Sequence, residues 1–249
     1  MEIIVLVFGL IIGSFLNVCI FRIPKGESIS YPPSHCTSCG YNLKPKDLVP
    51  VFSYLFLKGR CRSCKEKISF RYPIIELINA LSYVLIYMKF GFAIKSIFFC
   101  LLASLLIVIS MIDFDTKEVY TATTLFGLIL GLIYLVVSYF YLNINYTDNI
   151  LGGVVGFLII FLIVKLTQGM GEGDYEIAGV CGLFLGVKGI LVGLFIGIIL
   201  GAIYGSVLLI RKSKTGKDEM AFGPFIALGS FISLIYGTKI LEFYINFFI

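Results

Sequence analysis

Four cysteines and six acidic residues carry the chemistry that can be read in this sequence. Cys36-x2-Cys39 and Cys61-x2-Cys64, 21 residues apart, form two thiol pairs at nearly the spacing of a four-thiolate zinc ribbon. Each pair can chelate from one tight turn, and Gly40 just after the second thiol lets the backbone turn toward a metal. Disulfides are the alternative reading, and they require an oxidising compartment. With all four positions filled by protein the ion would be structural, because hydrolysis needs an open coordination position. Cys19, Cys100 and Cys181 lie in apolar runs, where a free thiol behaves as a small buried hydrophobe. His35, the single histidine, adjoins Cys36 and reads as a solvated loop residue or a fifth donor. One histidine leaves little room for Ser/His/Asp or Cys/His triads.

The acids fall in two short stretches: Asp113, Asp115 and Glu118, then Glu172, Asp174 and Glu176, with Lys117 the basic residue among them. Loop acids facing water describe Glu118 and Glu172 well. They describe Asp113 poorly, because it continues directly from the apolar run Leu105–Ile112, and an ionisable residue at a membrane boundary is a functional candidate. Asp174 closes the segment Gly169-Met170-Gly171-Glu172-Gly173-Asp174, whose three glycines free the backbone to bring a carboxylate beside another segment. Two aspartates sharing one proton can activate water with one carboxylate and polarise a carbonyl with the other, with neither histidine nor metal.

The elements that must position these groups are membrane helices. The chain of 249 residues is 59% hydrophobic and 14% charged, against roughly one-quarter charged in soluble domains, which sets it apart from them. Apolar runs at 2–21, 73–90, 92–112, 121–142, 150–166, 189–210 and 222–238 each approach the ~20 residues that cross a bilayer as a helix. An eighth, short span is expected within 177–187, where Gly186-Val187-Lys188-Gly189 splits an apolar stretch too long for one helix. The fold class is therefore an all-α polytopic membrane protein of about eight helices. Residues 1–21 form the first helix, 22–72 a polar Cys-rich insert, and 73–249 a membrane-embedded bundle.

Charge sets the orientation, since basic loops stay cytoplasmic. The segment 22–72 holds ten basic residues against Glu27, Asp47 and Glu66, a net charge of +7. With eight spans the same side receives Lys117, Lys165, Arg211, Lys212, Lys214 and Lys217, leaving only Lys89, Lys95, Lys188 and Lys239 outside. Removing the short span would strand the cluster from Arg211 to Lys217 on the wrong side. Both termini are then expected outside and the insert inside, where thiols stay reduced and zinc is favoured over disulfides. Arg22 and Lys25 follow the first apolar run rather than precede it, which argues for a retained helix and against a cleaved signal peptide.

Taken in order, the motifs resemble the type IV prepilin peptidase family. Gly13-Ser14-Phe15-Leu16-Asn17-Val18 with Arg22 and Pro24 is similar to its first-helix signature; the cysteine pairs follow, then Arg71-Tyr72-Pro73-Ile74-Ile75-Glu76. Ile112-Asp113-Phe114-Asp115 and Gly171-Glu172-Gly173-Asp174 match its two aspartate motifs, the second of the Gly-x-Gly-Asp kind. The resemblance implies eight helices, Asp113 and Asp174 as the catalytic pair with Asp115 as alternative partner, and removal of a basic leader from prepilin-like precursors at the cytoplasmic face of the inner membrane. It also implies S-adenosylmethionine-dependent methylation of the new amino terminus, associated with the motifs from Gly13 to Glu76, although no soluble-type nucleotide fingerprint is present. Two departures stand out: Tyr120 where the family usually has proline, and Glu176 where it usually has lysine. Expected partners are the bilayer and a precursor with a basic leader and an apolar helix, and no nucleic acid. Alternative readings are a protease of the same kind cutting non-pilin substrates within their spans, and a non-enzymatic zinc-ribbon scaffold or carboxylate-lined transporter.

Overall fold

The computed structural model describes residues 1–142, 146–167, 170–210 and 220–248. The basic cluster from Arg211 to Lys217 and Gly169 of the glycine-rich segment lie outside them. Among the described residues the chain is helical, with only two isolated bridges of extended backbone, His35 with Asn42 and Arg60 with Lys67. The helices are α1 (Glu2–Arg22), α2 (Phe52–Phe56), α3 (Arg71–Phe90), α4 (Ile94–Thr116), α5 (Thr121–Val137), α6 (Tyr146–Thr167), α7 (Asp174–Ile210) and α8 (Gly223–Phe248). All but α2 are long and apolar enough to cross a membrane. A π-helical stretch, Ser138–Leu142, carries α5 to the end of its apolar run. α8 continues ten residues past the expected 238, because Ile240, Leu241, Phe243 and Ile245 keep the sequence apolar beyond Lys239.

The chain divides into two compact units, Met1–Ser96 and Ile97–Ile249. The sequence division at 72/73 set the polar insert apart from the bundle. By packing, α3 falls with α1 and the insert in the first unit. α1 and α3 pack antiparallel and very closely: a Cβ on Gly9 would stand 2.7 Å from the Cα of Ala80, and one on Gly13 2.7 Å from the Cα of Glu76. Polar side chains bridge the same seam, Asn79 donating to the Gly9 carbonyl at 2.7 Å and Asn17 to the Tyr72 carbonyl at 3.2 Å. Such small-residue seams with interhelical hydrogen bonds, worth roughly 0.6–2 kcal/mol each, hold membrane helices together where lipid removes the hydrophobic driving force.

In the second unit α7 decides the topology. Its 37 residues would be about 55 Å long if straight, nearly twice the ~30 Å hydrocarbon core. Gly186 breaks it, at φ 69° and ψ 179°, a region open essentially to glycine alone. The break is a reversal. A Cβ on Gly156 of α6 would lie 2.6 Å from the Ala178 carbonyl oxygen and 2.9 Å from Cγ1 of Ile190, so both residues touch one point on α6. A straight helix would hold them about 18 Å apart. α7 is thus a hairpin with a first limb ending at Gly186 and a second running to Ile210, and the short extra span expected within 177–187 is its first limb, begun three residues earlier. Counting both limbs gives eight membrane segments among the described residues. The first limb, about 18 Å long, is too short for its two ends to reach both surfaces of the hydrocarbon core.

Tyr134 of α5 stacks on Phe184 of the first limb with centroids 5.1 Å apart, and the second limb packs antiparallel on α8 from Gly193 beside Ser230 to Gly201 beside Phe222. These contacts bring the C-terminal end of α4 and the N-terminal ends of α7 and α8 to one end of the unit.

Candidate active site and metal centre

Asp113 sits in the last turn of α4. The helix closes there because Lys117 takes a left-handed conformation (φ 58°), its amide bonding the Asp113 carbonyl at 2.8 Å. The side chain is 3% exposed, and its Oδ2 accepts the Gly223 amide at 2.9 Å, in a buried bond across 110 residues of sequence. That amide opens α8, so the positive end of a 26-residue helix is aimed at the carboxylate. Residue 223 must be glycine for this approach: a Cβ would stand 2.6 Å from Asp113 Oδ2 and 3.0 Å from Cδ1 of Ile177.

Asp174 is the first residue of α7 and 1% exposed. Its Oδ2 accepts the Gly171 amide at 3.1 Å, while its own amide donates to the Gly171 carbonyl at 3.2 Å. Gly173 between them carries the glycine-rich segment directly against Val119, where any side chain would collide with the valine. The two carboxylates, 61 residues apart in sequence, are brought to one end of the unit: Asp113 Oδ2 and the side chain of Ile177, one turn beyond Asp174, both border Gly223, 2.6 Å and 3.0 Å from where its Cβ would stand. Both are buried, both accept a backbone amide, and each stands at the polar end of a membrane helix. Such a pair can share one proton and so supply a base and an acid at once.

The other acids separate from this pair. Asp115 is exposed, the α-helical rotation having carried it off the buried face two residues later. Glu172 is exposed and pairs with Lys165 at 3.1 Å, so Lys117 is not the only basic residue near the acids, as the sequence had suggested. Glu176 accepts a 2.7 Å hydrogen bond from the Thr124 hydroxyl of α5. The carboxylate standing where lysine was expected thus has a partner of its own. Tyr120, where proline was expected, caps α5 in extended conformation and accepts the Thr123 hydroxyl at 2.6 Å.

In the insert the sulfur atoms of Cys36, Cys39, Cys61 and Cys64 all lie within 4.8 Å of one another. Four thiolates at about 2.3 Å from a tetrahedral zinc stand about 3.8 Å apart, and Cys36 Sγ lies 3.8 Å from Cys64 Sγ. This is far beyond disulfide bonding distance, and all four thiols are free. The two knuckles are built alike. Gly40 and Lys65, each one residue past its second thiol, are both left-handed (φ 71° and 62°), and their amides bond the carbonyls of Cys36 and Cys61. The amides of Cys39 and Ser38 draw the Cys36 thiol down to about 6, whereas Cys64, despite the Glu66 amide, is pushed up to about 12 by burial and by the three neighbouring thiols, so without an ion the cluster holds its negative charge on some sulfurs and its protons on others. His35 is exposed, contacts the Pro33 carbonyl, and is not among the four clustered ligands.

Three further groups were given no role of their own in the sequence. The Gly223 amide is one, and the Gly-Pro at 223–224, apt for a helix start, was its only trace. Asp47 is the second: it accepts Arg62 Nε at 2.6 Å, the Lys44 amide at 3.1 Å and the Tyr41 hydroxyl at 3.3 Å, so one carboxylate ties the two knuckles together. Burial pushes its pKa up, but Arg62 and the Lys44 amide outweigh this and hold it below the ordinary range. Glu76 is the third, a buried carboxylate accepting the Val51 amide at 2.7 Å and so fastening the insert to α3.

Two family models match the chain in succession. Residues 7–90 match the Bacterial Peptidase A24 N-terminal domain and residues 100–206 the Type IV leader peptidase family, and the gap between them spans the division of the two units. The chain is 32% identical to the prepilin leader peptidase/N-methyltransferase of Pseudomonas putida, over 94% of this chain and 90% of that one. It is 33% identical to the protein of the same name from Bacillus subtilis (strain 168), over 98% and 97%, and 30% identical to that of Pseudomonas aeruginosa, over 97% and 92%. The chain belongs to the type IV leader peptidase family, and it is a polytopic membrane protein. No solved structure matches it.

Proposed function

We propose that this protein is an aspartic endopeptidase of the cytoplasmic membrane that removes the leader from type IV prepilin-like precursors, with Asp113 and Asp174 as its catalytic carboxylates. The observation that carries the reading is that two aspartates from distant segments are buried at the same end of one unit, each bonded to a backbone amide. The ionised member takes a proton from water, the resulting hydroxide attacks the scissile carbonyl, and the protonated member donates toward the carbonyl oxygen. Return of a proton to the leaving amine completes cleavage and resets the pair. The Gly223 and Gly171 amides keep both carboxylates in place during these exchanges, so little reorganisation is needed at the moment of reaction.

The active site lies at the cytoplasmic face in this reading, supported by the +7 charge of the insert and the placement of basic residues along the chain. The substrate is a precursor with a basic leader followed by an apolar helix, presented from the bilayer. Zinc held by Cys36, Cys39, Cys61 and Cys64 staples an insert of about fifty residues that has little core of its own. The relatives' shared name extends the reading to methylation of the new amino terminus, with S-adenosylmethionine as donor. Incubating the purified enzyme with a pilin-type precursor and weighing the new amino terminus by mass spectrometry reports both activities. Asp113→Asn and Asp174→Asn, at normal protein level, abolish cleavage on this reading; persistence of cleavage in both would overturn it.

A further inference from the structure

The insert carries an apolar surface that neither the metal centre nor the aspartate pair uses. Phe52, Leu55 and Phe56 of α2 are 54%, 62% and 84% exposed, Leu48 and Val49 are exposed just before them in sequence, and Phe70, exposed as well, meets Tyr54 of α2 in space with ring centroids 5.9 Å apart. Contiguous apolar exposure of this kind marks a surface that water does not normally face. Lys46, Lys58 and Arg60, also exposed, flank the segment on both sides.

The depth of this surface identifies what covers it. The Val51 amide, one residue before α2, is bonded to Glu76, the sixth residue of α3 and so about 7.5 Å along that helix from its start. Val51 holds φ 62° to make the bond, a conformation costly for a β-branched residue. α2 therefore lies at the entry of a membrane-spanning helix, between the second turn, whose Glu76 side chain holds Val51, and Phe70 just before the helix, whose ring meets Tyr54 of α2 at 5.9 Å. Aromatic and leucine side chains at this level, ringed by lysine and arginine, have the composition of a segment lying in the boundary between headgroups and acyl chains. We propose that Leu48–Phe56, with Phe70, is an interfacial anchor that seats the zinc insert on the bilayer, its apolar side chains among the upper acyl carbons and Lys46, Lys58 and Arg60 on anionic headgroups. Glu76 acts as the tether that sets the depth.

The chain contains no tryptophan, which makes the test direct. Phe56→Trp in the full-length protein, reconstituted in nanodiscs of phosphatidylethanolamine and phosphatidylglycerol, places a sole indole in the anchor. The expected result is loss of most of its emission when the acyl chains are brominated near the headgroup, with little quenching by aqueous iodide. Brominated phosphatidylglycerol should quench more than brominated phosphatidylcholine at equal mole fraction, and Lys46→Gln, Lys58→Gln and Arg60→Gln together should erase that preference. An indole quenched by iodide and not by lipid overturns the proposal. So does one shielded from both, which would mean a protein covers the surface. Equal quenching by the two lipids overturns the role of the basic residues. Leu55→Trp provides a second reporter, and unchanged zinc content certifies the fold of either variant.

Discussion

Replacing Gly223 with alanine tests whether the α8 amide positions the catalytic pair. Backbone conformation is not the difficulty, since residue 223 needs no left-handed φ. The new methyl would lie 2.6 Å from Asp113 Oδ2, 0.8 Å inside the shortest ordinary contact of 3.4 Å, with Ile177 blocking the other side at 3.0 Å. The carboxylate must then move by most of an ångström and give up its 2.9 Å amide bond. A hydrogen bond to a charged group is worth about 1.5–3 kcal/mol, roughly a ten- to hundredfold loss of rate, and a displacement of about 1 Å at a reacting group costs a similar factor. The expected outcome is a fall in kcat of that size for leader removal, with KM little changed, because the leader does not contact residue 223 in this account. Steady-state cleavage of a pilin-type precursor in nanodiscs, normalised to folded protein, measures it. A kcat within about twofold of the parent enzyme, with the alanine present, would refute the claim that this amide holds Asp113.

The remaining predictions concern the rest of the molecule. Asp115→Asn should retain near-normal cleavage, because the side chain is exposed while Asp113 and Asp174 are buried; loss of cleavage at normal abundance would make Asp115 the partner instead. Purified protein should hold about one zinc per chain, and Cys39→Ser or chelation should release it and open the segment around Lys58 and Arg60 to trypsin, read by mass spectrometry; a zinc-free protein with an intact, resistant insert would contradict the metal centre. Gly186→Ala should destabilise the protein by at least ~1–3 kcal/mol from backbone strain alone, more because the Asp148 carboxylate fills the space a Cβ would need, and thermal unfolding in detergent should show a lower midpoint. Neutralising Glu118, Glu172 and Glu176 together should raise KM for a basic leader, more at low salt; an unchanged KM would show that these acids, two of them bonded to Lys165 and Thr124, do not recruit it.

The sequence by itself determined the membrane class, seven of the apolar spans and both sets of candidate residues, because each is written in local chemistry. Twenty apolar residues leave a helix few alternatives in a bilayer. Two Cys-x2-Cys turns suit a single tetrahedral ion, and an aspartate that continues an apolar run is conspicuous at any distance from its partner. The eighth segment was legible as a reversal, since charge placement required one that hydropathy alone did not mark and Gly186 could make it, but that the segment is a limb too short to reach both surfaces was decided by the structure. Tertiary structure alone decided how the parts meet. Nothing near Asp113 in sequence announces an amide 110 residues away, and nothing in a list of acids separates Asp113 from Asp115 except which face of α4 is buried. Likewise Asp47 looked like an ordinary charge and Glu76 like the last residue of a family motif, and they became the links within the insert and from the insert to α3 once folding removed them from water. A buried carboxylate must find donors wherever the fold can bring them, and that search runs through space, which the order of residues does not record.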